Sequence, residues 1–255
     1  SLPYRRIMKL FGAALVYTEM VSANGLIRDG KKTRELLVSC QEETPLGIQL
    51  LGDDPQVLAQ ATRMIANECT LLDINMGCPV KKVIRSGAGS ALLKDPQRIA
   101  QIIKAVRNEY SGPLTIKIRS GWDCDTVNFI EIGKINEAEG ADAVTLHPRT
   151  RSQAFGGKAD WRQIQQLKQT LQIPVIGSGD IFSAIDGVQM LEQTGCDAIM
   201  IGRGGYGNPW ILRNILNLLE GQETAPVTAT EKKQVAMQHL KWHREQFGDR
   251  KTLFE

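Results

Sequence analysis

The chain has 255 residues, 42% apolar and 23% charged, with a net charge of +3. That is ordinary globular composition and excludes disorder, collagen and a small disulfide scaffold. No apolar run approaches the roughly 18–20 residues of a membrane helix, and the opening SLPYRRIMKLFG lacks the apolar stretch of a secretory signal.

An amphipathic pattern over Pro3–Phe11 predicts a first helix with no strand before it. Short apolar, β-rich runs then alternate with longer helical ones. The predicted strands are Ala14–Met20, Gly47–Gly52, Leu71–Gly77, Leu114–Ser120, Ala143–Arg149, Pro174–Asp180 and Ala198–Gly204. The predicted helices between and after them are Val57–Cys69, Pro96–Tyr110, Val127–Ala138, Trp161–Gln172, Ala184–Thr194 and Pro209–Leu219. Strand–helix alternation means βαβ units and a parallel sheet. The strands read as nearly continuous apolar runs, the pattern of a sheet covered by helices. After Gly221, GQETAPVTATE reads as a linker, and a further helix is expected from about Thr230 to Phe247.

The strand starts are spaced by roughly 31 residues, the step of a TIM barrel that fits eight units into about 250 residues. A doubly wound sheet competes, but no G-x-G-x-x-G follows an early strand. Polar residues gather at the strand C-termini: Glu19, Gln49, Asn75–Cys78, Lys117, Arg119, His147, Arg149, Ser178–Asp180 and Gly202–Arg203. In a barrel those ends form one mouth, where catalytic groups sit. The expected fold is therefore α/β, a TIM (β/α)8 barrel with strand one absent from this chain, followed by the start of a helical domain. The chain opens on Ser1 rather than Met, which fits a start further upstream.

The five cysteines, Cys40, Cys69, Cys78, Cys124 and Cys196, make no C-x-x-C pair, so a zinc ribbon or redox dithiol is not expected and a reducing cytoplasm is the simplest home. Cys78 stands apart: it follows a strand in NMGCPVKKV, with Lys81, Lys82 and Arg85 just behind it. Lys117 and Arg119 alternate on one strand and share a face. Lys117 lies between Ile116 and Ile118, which places it inside the barrel, where a lysine needs a partner or a task. His147 is the only histidine of the barrel region. At a barrel rim it reads as functional, against the alternative of a hydrogen-bonded core residue. The last two strands end in GSGD and IGRGG, turns that bring backbone N–H groups to a phosphate, with Arg203 as a charged donor; plain tight turns are the alternative. His239 and His243 have metal-ligand spacing on the last helix but no third ligand nearby, so no metal site is expected.

At NMGCPVKKV the chain resembles the flavin-dependent tRNA-dihydrouridine synthases, in the flavour of the bacterial B-type branch. The stretches TEMVSA, GIQLLGDDP, GAGSALLKDP, KIRSGWD, HPRTRSQAFGGKADW, IPVIGSGDI and GCDAIMIGRGGYGNPW match in the family's order over essentially residues 1–221. The resemblance implies an FMN-binding barrel over residues 1–221. It implies that residues 222–255 are a linker and the first helix of a C-terminal tRNA-binding helical domain. It places FMN contacts on Gln49, Lys117, His147, Ser178, Gly179, Asp180, Gly202 and Arg203, and the proton donor on Cys78. It places Asn75 and Arg119 at the target uridine or its phosphate. HPR and GSGD stand where HGR and NGD are common in the family.

The implied reaction is reduction of specific tRNA uridines to 5,6-dihydrouridine, with NADPH (or NADH) as electron donor. A proton donor must hold its proton, so the basic run Lys81, Lys82 and Arg85 reads as tRNA-backbone contact rather than thiol activation. The expected partner is tRNA, with no membrane and no obligate protein partner. Two alternatives remain: a flavin barrel acting on a free pyrimidine, as in dihydroorotate dehydrogenases, and a non-catalytic RNA-binding chain.

Overall fold

In the computed structural model, residues 1–249 are described. Part of the segment expected to begin a helical domain, residues 250–255, lies outside them.

The architecture is a curled parallel sheet wrapped by helices. Helix α1 (Leu2–Leu10) leads into β1 (Val16–Tyr17) and β2 (Val21–Ser22). Two short helices follow, α2 (Ala23–Ile27) and α3 (Lys31–Glu35). Strand–helix units then repeat: β3 (Leu46–Leu51), α4 (Pro55–Ile65), β4 (Leu71–Met76), α5 (Lys81–Arg85), α6 (Pro96–Glu109), β5 (Leu114–Arg119), α7 (Phe129–Ala138), β6 (Ala143–His147), α8 (Arg162–Thr170), β7 (Val175–Ser178), α9 (Ala184–Thr194), β8 (Ala198–Met200) and α10 (Trp210–Leu219). Helix α11 (Ala229–Phe247) closes the series. The sheet order is β1-β3-β4-β5-β6-β7-β8, all parallel, with β2 also on β3. Because β1 and β2 both pair with β3, they share one position, and seven positions of a TIM barrel are filled.

Helix starts follow local chemistry. Asp54 and Asp95 cap α4 and α6, each followed by a proline in the first turn. Ser183 and Asp186 form a capping box on α9, and Gly195 closes that helix with φ +65°.

Two expectations change. The run Ala14–Met20 is not one strand. It is interrupted at Thr18, whose hydroxyl accepts the Gln49 N–H at 3.1 Å and so keeps the broken segment against β3. The strands are also less uniformly apolar than their sequences suggest. Ile48, Leu50, Leu72, Ile74, Met76, Leu114, Ile116, Ile118, Val144 and Leu146 are buried in one core with the helices. The alternate positions carry Gln49, Asp73, Asn75, Thr115, Lys117, Arg119, Thr145 and His147. By the two-residue period of a strand these turn to the other face, the barrel interior. The helices supply the apolar half of the alternation, so the interior is free to be polar.

No strand among the described residues bridges β8 and β1. A cleft of about 810 Å³ lies there, lined by Val16, Tyr17, Ala198, Met200, Leu216 and, at its inner end, Gln49 and Lys117. Helix α1 is held near it by buried Arg5, which donates to Glu43 at 2.5 and 2.9 Å and to Glu19 at 3.3 Å.

Candidate active site

The mouth has two differently built halves. On β3, β4 and β5, three residues stand side by side: Gln49 pairs with Asp73, and Asp73 with Thr115. Asp73 is fully buried and accepts from Thr115 Oγ1 at 2.6 Å and from Gln49 Nε2 at 2.7 Å. With its NH2 turned to the carboxylate, Gln49 presents Oε1 to Asn75 Nδ2 at 2.9 Å. Asn75 Oδ1 in turn accepts the backbone N–H groups of Gly77 at 3.2 Å and Cys78 at 2.9 Å. The Cys78 carbonyl takes the Ser90 hydroxyl at 2.9 Å and the Ser90 N–H at 3.1 Å. A thiol in the loop after a strand is thus held at its backbone from both sides, and it is 7% exposed.

Lys117 lies one step higher on β5, paired across with Asn75 and Thr145. Its ammonium lines the cleft with Gln49 and has no hydrogen-bond or ion-pair partner among the described residues. Burial pulls its pKa down to about 8, against the attraction of Asp73. Burial likewise pushes Asp73 up to about 6, against its hydrogen bonds from Thr115 and Gln49 and the charge of Lys117.

The other half is built on charge. Arg149 is buried and clamps Asp180 with two bonds of 2.8 and 2.7 Å. It also donates to the Gly156 and Gly157 carbonyls at 3.0 and 2.6 Å. Asp180 accepts the Ala159 N–H at 2.8 Å, and its acidity is strengthened by Arg149, that N–H and Arg203 against the opposing effect of burial. Arg149 lies 3.3 Å from His147 Nε2. A guanidinium only donates, so Nε2 accepts and the ring proton belongs on Nδ1. Burial, then the charges of Lys117, Arg119 and Arg149, hold His147 down to about 3, so the imidazole is neutral. Gly179, at φ +112°, passes so close that a Cβ there would lie 2.6 Å from the His147 ring. Phe155 covers this half, 52% exposed, with Arg203 4.4 Å and Arg119 5.6 Å from its ring centre.

The residues singled out from sequence therefore meet at one mouth, but several are already engaged. Arg119 is buried, and burial followed by the nearby charge of Arg149 lowers it to about 10. It braces the loops by donating to the carbonyls of Gly77, Thr150 and Ala154 at 2.8, 3.1 and 2.8 Å. Both ends of the Asn75 amide serve the relay. The Asp180 carboxylate is engaged by Arg149, by the Ala159 N–H and, at 3.7 Å, by Arg203, which leaves its backbone as the simpler ligand contact. Ser178 is buried, whereas Gly202 and Arg203 are exposed, and a Cβ on Gly202 would meet open space. Lys81, Lys82 and Arg85 sit on α5, exposed and without an ion-pair partner among the described residues. Sequence reasoning passes over Asp73 and Phe155 and assigns Arg149 no role. A carboxylate inside a strand flanked by Leu72 and Ile74 is the one signal that pointed to Asp73.

This is the fold and mouth of a barrel enzyme: a parallel (β/α) sheet with a thiol, a half-buried lysine and an arginine-rich rim at the strand C-termini. The sequence model of the dihydrouridine synthase (Dus) family matches residues 1–255, and the chain belongs to that family. The tRNA-dihydrouridine synthase B of Pasteurella multocida is 42% identical over 240 residues, 93% of this chain and 72% of that protein. The tRNA-dihydrouridine synthase B of Shewanella oneidensis is 38% identical over 252 residues, 98% of this chain and 78% of that protein. Among solved structures, a 2-naphthoyl-CoA reductase superposes with a TM-score of 0.63 at 13% identity, covering 87% of this chain and 46% of that one. Histamine dehydrogenase from Rhizobium sp. 4-9 gives 0.58 at 12% identity, covering 87% and 43%. These two likenesses concern the fold alone.

Proposed function

We propose that the chain reduces uridines in tRNA to 5,6-dihydrouridine, with FMN as cofactor, NADPH as electron donor and Cys78 as proton donor. The observation that carries the reading is the pairing of a backbone-anchored thiol with a partnerless lysine at the mouth of the same barrel. The tRNA-dihydrouridine synthase B relatives support tRNA as the substrate. FMN, when bound, supplies the hydride for C6 of the uracil ring.

The chain's own residues divide the remaining work. Lys117 offers a positive charge where reduction leaves negative charge on the cofactor, and Gln49 lines the same space. His147, being neutral, serves as a hydrogen-bonding wall over the Gly179 backbone rather than as a second cation. Ser178, Gly179, Asp180, Gly202 and Arg203 hold the phosphate, Asp180 through its main chain. A donor set of exposed arginine and open glycine backbone suits an anion.

Cys78 gives its thiol proton to C5 of the ring. Asn75 fixes the Cys78 peptide, and Arg119 holds the loops around the uracil. The target base must leave its stack in tRNA to reach this mouth. Lys81, Lys82 and Arg85 then meet the RNA backbone as sequence-independent charge. No helix among the described residues is long and apolar enough to cross a membrane; a tRNA substrate and free cysteines support a cytoplasmic activity. The linker after Gly221 and α11 would add to the RNA-binding surface.

The test is an absorbance spectrum of the purified chain, where bound flavin absorbs near ~450 nm, followed by mapping of dihydrouridine in tRNA incubated with it. Turnover of free uracil or dihydroorotate without tRNA reduction overturns the substrate assignment. A colourless protein that binds tRNA overturns the enzymatic one.

A further inference from the structure

Asp73 is a charged group sealed inside the barrel, and the roles above do not use it. Burying a carboxylate is costly, so its partners are informative. It has two: Thr115 Oγ1 at 2.6 Å on one oxygen and Gln49 Nε2 at 2.7 Å on the other. The second bond decides the amide of Gln49, because a carboxylate only accepts. Gln49 Oε1 therefore faces Asn75 Nδ2, and Asn75 Oδ1 is left to take the Cys78 N–H. Two residues further up on the neighbouring strand stands Lys117, which Asp73 attracts while Arg119 opposes it and Cys78 adds a weaker attraction. Nearby on the same inner face, Tyr17 Oη and Thr145 Oγ1 are buried with no hydrogen-bond partner among the described residues, and burial and then the charge of Asp73 raise the Tyr17 pKa. Among the described inward-facing strand residues, Asp73 is thus the one carboxylate, beside amides, hydroxyls, a neutral imidazole and cations.

We propose that Asp73 is a positioning residue: one buried carboxylate orients Gln49, and through it Asn75 and the Cys78 peptide, while it serves as the counter-charge of Lys117. The inference rests on the proposed roles of Cys78 and Lys117 for its meaning in catalysis, but its test does not need turnover.

The two functions separate by substitution. In Asp73→Asn the amide oxygen still accepts from Gln49 and its NH2 donates to Thr115, so the relay survives while the charge is lost. In Asp73→Ala both are lost. The full chain is labelled as purified, and two sites are read by mass spectrometry: alkylation of Cys78, which at 7% exposure reports opening of its loop, and acylation of Lys117, which reports its neutral fraction.

Asp73→Asn is expected to leave Cys78 alkylation at the wild-type rate and to raise Lys117 acylation at neutral pH about fivefold, from a pKa fall of roughly one unit. Asp73→Ala is expected to raise both. Unchanged Lys117 acylation in the Asn variant overturns the counter-charge role. Equal Cys78 alkylation in the Ala variant and wild type overturns the relay. If Asp73→Ala fails to fold, Gln49→Leu breaks the relay one link later. It should raise Cys78 alkylation and leave Lys117 unchanged, and wild-type alkylation there overturns the relay equally. Absence of tRNA reduction by the wild-type chain, with both labels behaving as stated, would count against the proposed function and not against this inference.

Discussion

The two halves of the mouth solve the same problem, holding polar groups still inside a barrel, by opposite means. The β3–β5 half uses amides in series, Gln49 to Asn75 to the Cys78 backbone, ending on one carboxylate. The β6–β8 half uses an ion pair, Arg149 on Asp180, with loop carbonyls taking up the remaining donors. The relay is anchored where Gln49, Asp73 and Thr115 stand in direct register and runs on to Asn75, two residues along β4, so most of its geometry comes with the sheet. The clamp links a strand end to loops 7 to 31 residues away, so it sets loop conformation that the sheet leaves open. The half with the thiol is preorganised by hydrogen bonds, and the half with the phosphate-type turns by charge.

The contrast can be broken at four points. Cys78→Ala should cut dihydrouridine formation by roughly a hundredfold to ten-thousandfold while flavin absorbance and thermal unfolding stay at wild type; full activity removes the thiol from the chemistry. Arg149→Ala should cost about 3 kcal/mol in urea unfolding, because Asp180 then keeps its charge without its clamp. A loss well under 1 kcal/mol would mean that the clamp half is no more rigid than an exposed ion pair.

The third point is pH. Asp73 has a folded pKa of about 6, above its unfolded value, so the folded state binds the proton more tightly. Its ionisation therefore costs stability progressively as pH rises from about 4 to about 6. Asp73→Asn lacks that cost. Relative to wild type it should gain about 2 kcal/mol between pH 4 and pH 7, read by denaturant unfolding at both. Asp180 runs the other way: its pKa is lowered, so its contribution is full above the unfolded carboxylate value and is lost as pH falls below it. Identical pH profiles for wild type and Asp73→Asn would erase the distinction between the halves.

The smallest effect belongs to the rim. Replacing Lys81, Lys82 or Arg85 singly by alanine should weaken tRNA binding and lower the salt slope by about one each. An unchanged slope in filter-binding titrations removes α5 from the RNA face.

Much of this was legible in the residues themselves. Six of the seven apolar runs became strands that start within one residue of expectation, while β6 and β7 end two residues early and β8 four, where the polar mouth loops begin. The helix starts were set by Asp54-Pro55, Asp95-Pro96 and Ser183, whose side chains or rings act within one turn. The split at Thr18 was not legible, since the bond that holds it reaches Gln49 on another strand. The helices Ala23–Ile27 and Lys31–Glu35 are too short to show a period.

For the site, the sequence alone determined which chemistry is present and on which strand ends it falls: a thiol after β4, a lysine and an arginine on β5, a histidine on β6, glycine turns after β7 and β8. Only the tertiary structure decided what those groups are free to do. It committed Arg119 to loop carbonyls and the Asp180 carboxylate to Arg149, left Lys117 without a hydrogen-bond or ion-pair partner among the described residues, and made Asp73 the anchor of the relay. The reason is physical. Residue identity and the two-residue strand period depend on neighbours along the chain, whereas a hydrogen bond's partner depends on which strand lies alongside and in what register, and that exists only after the sheet has closed around its core.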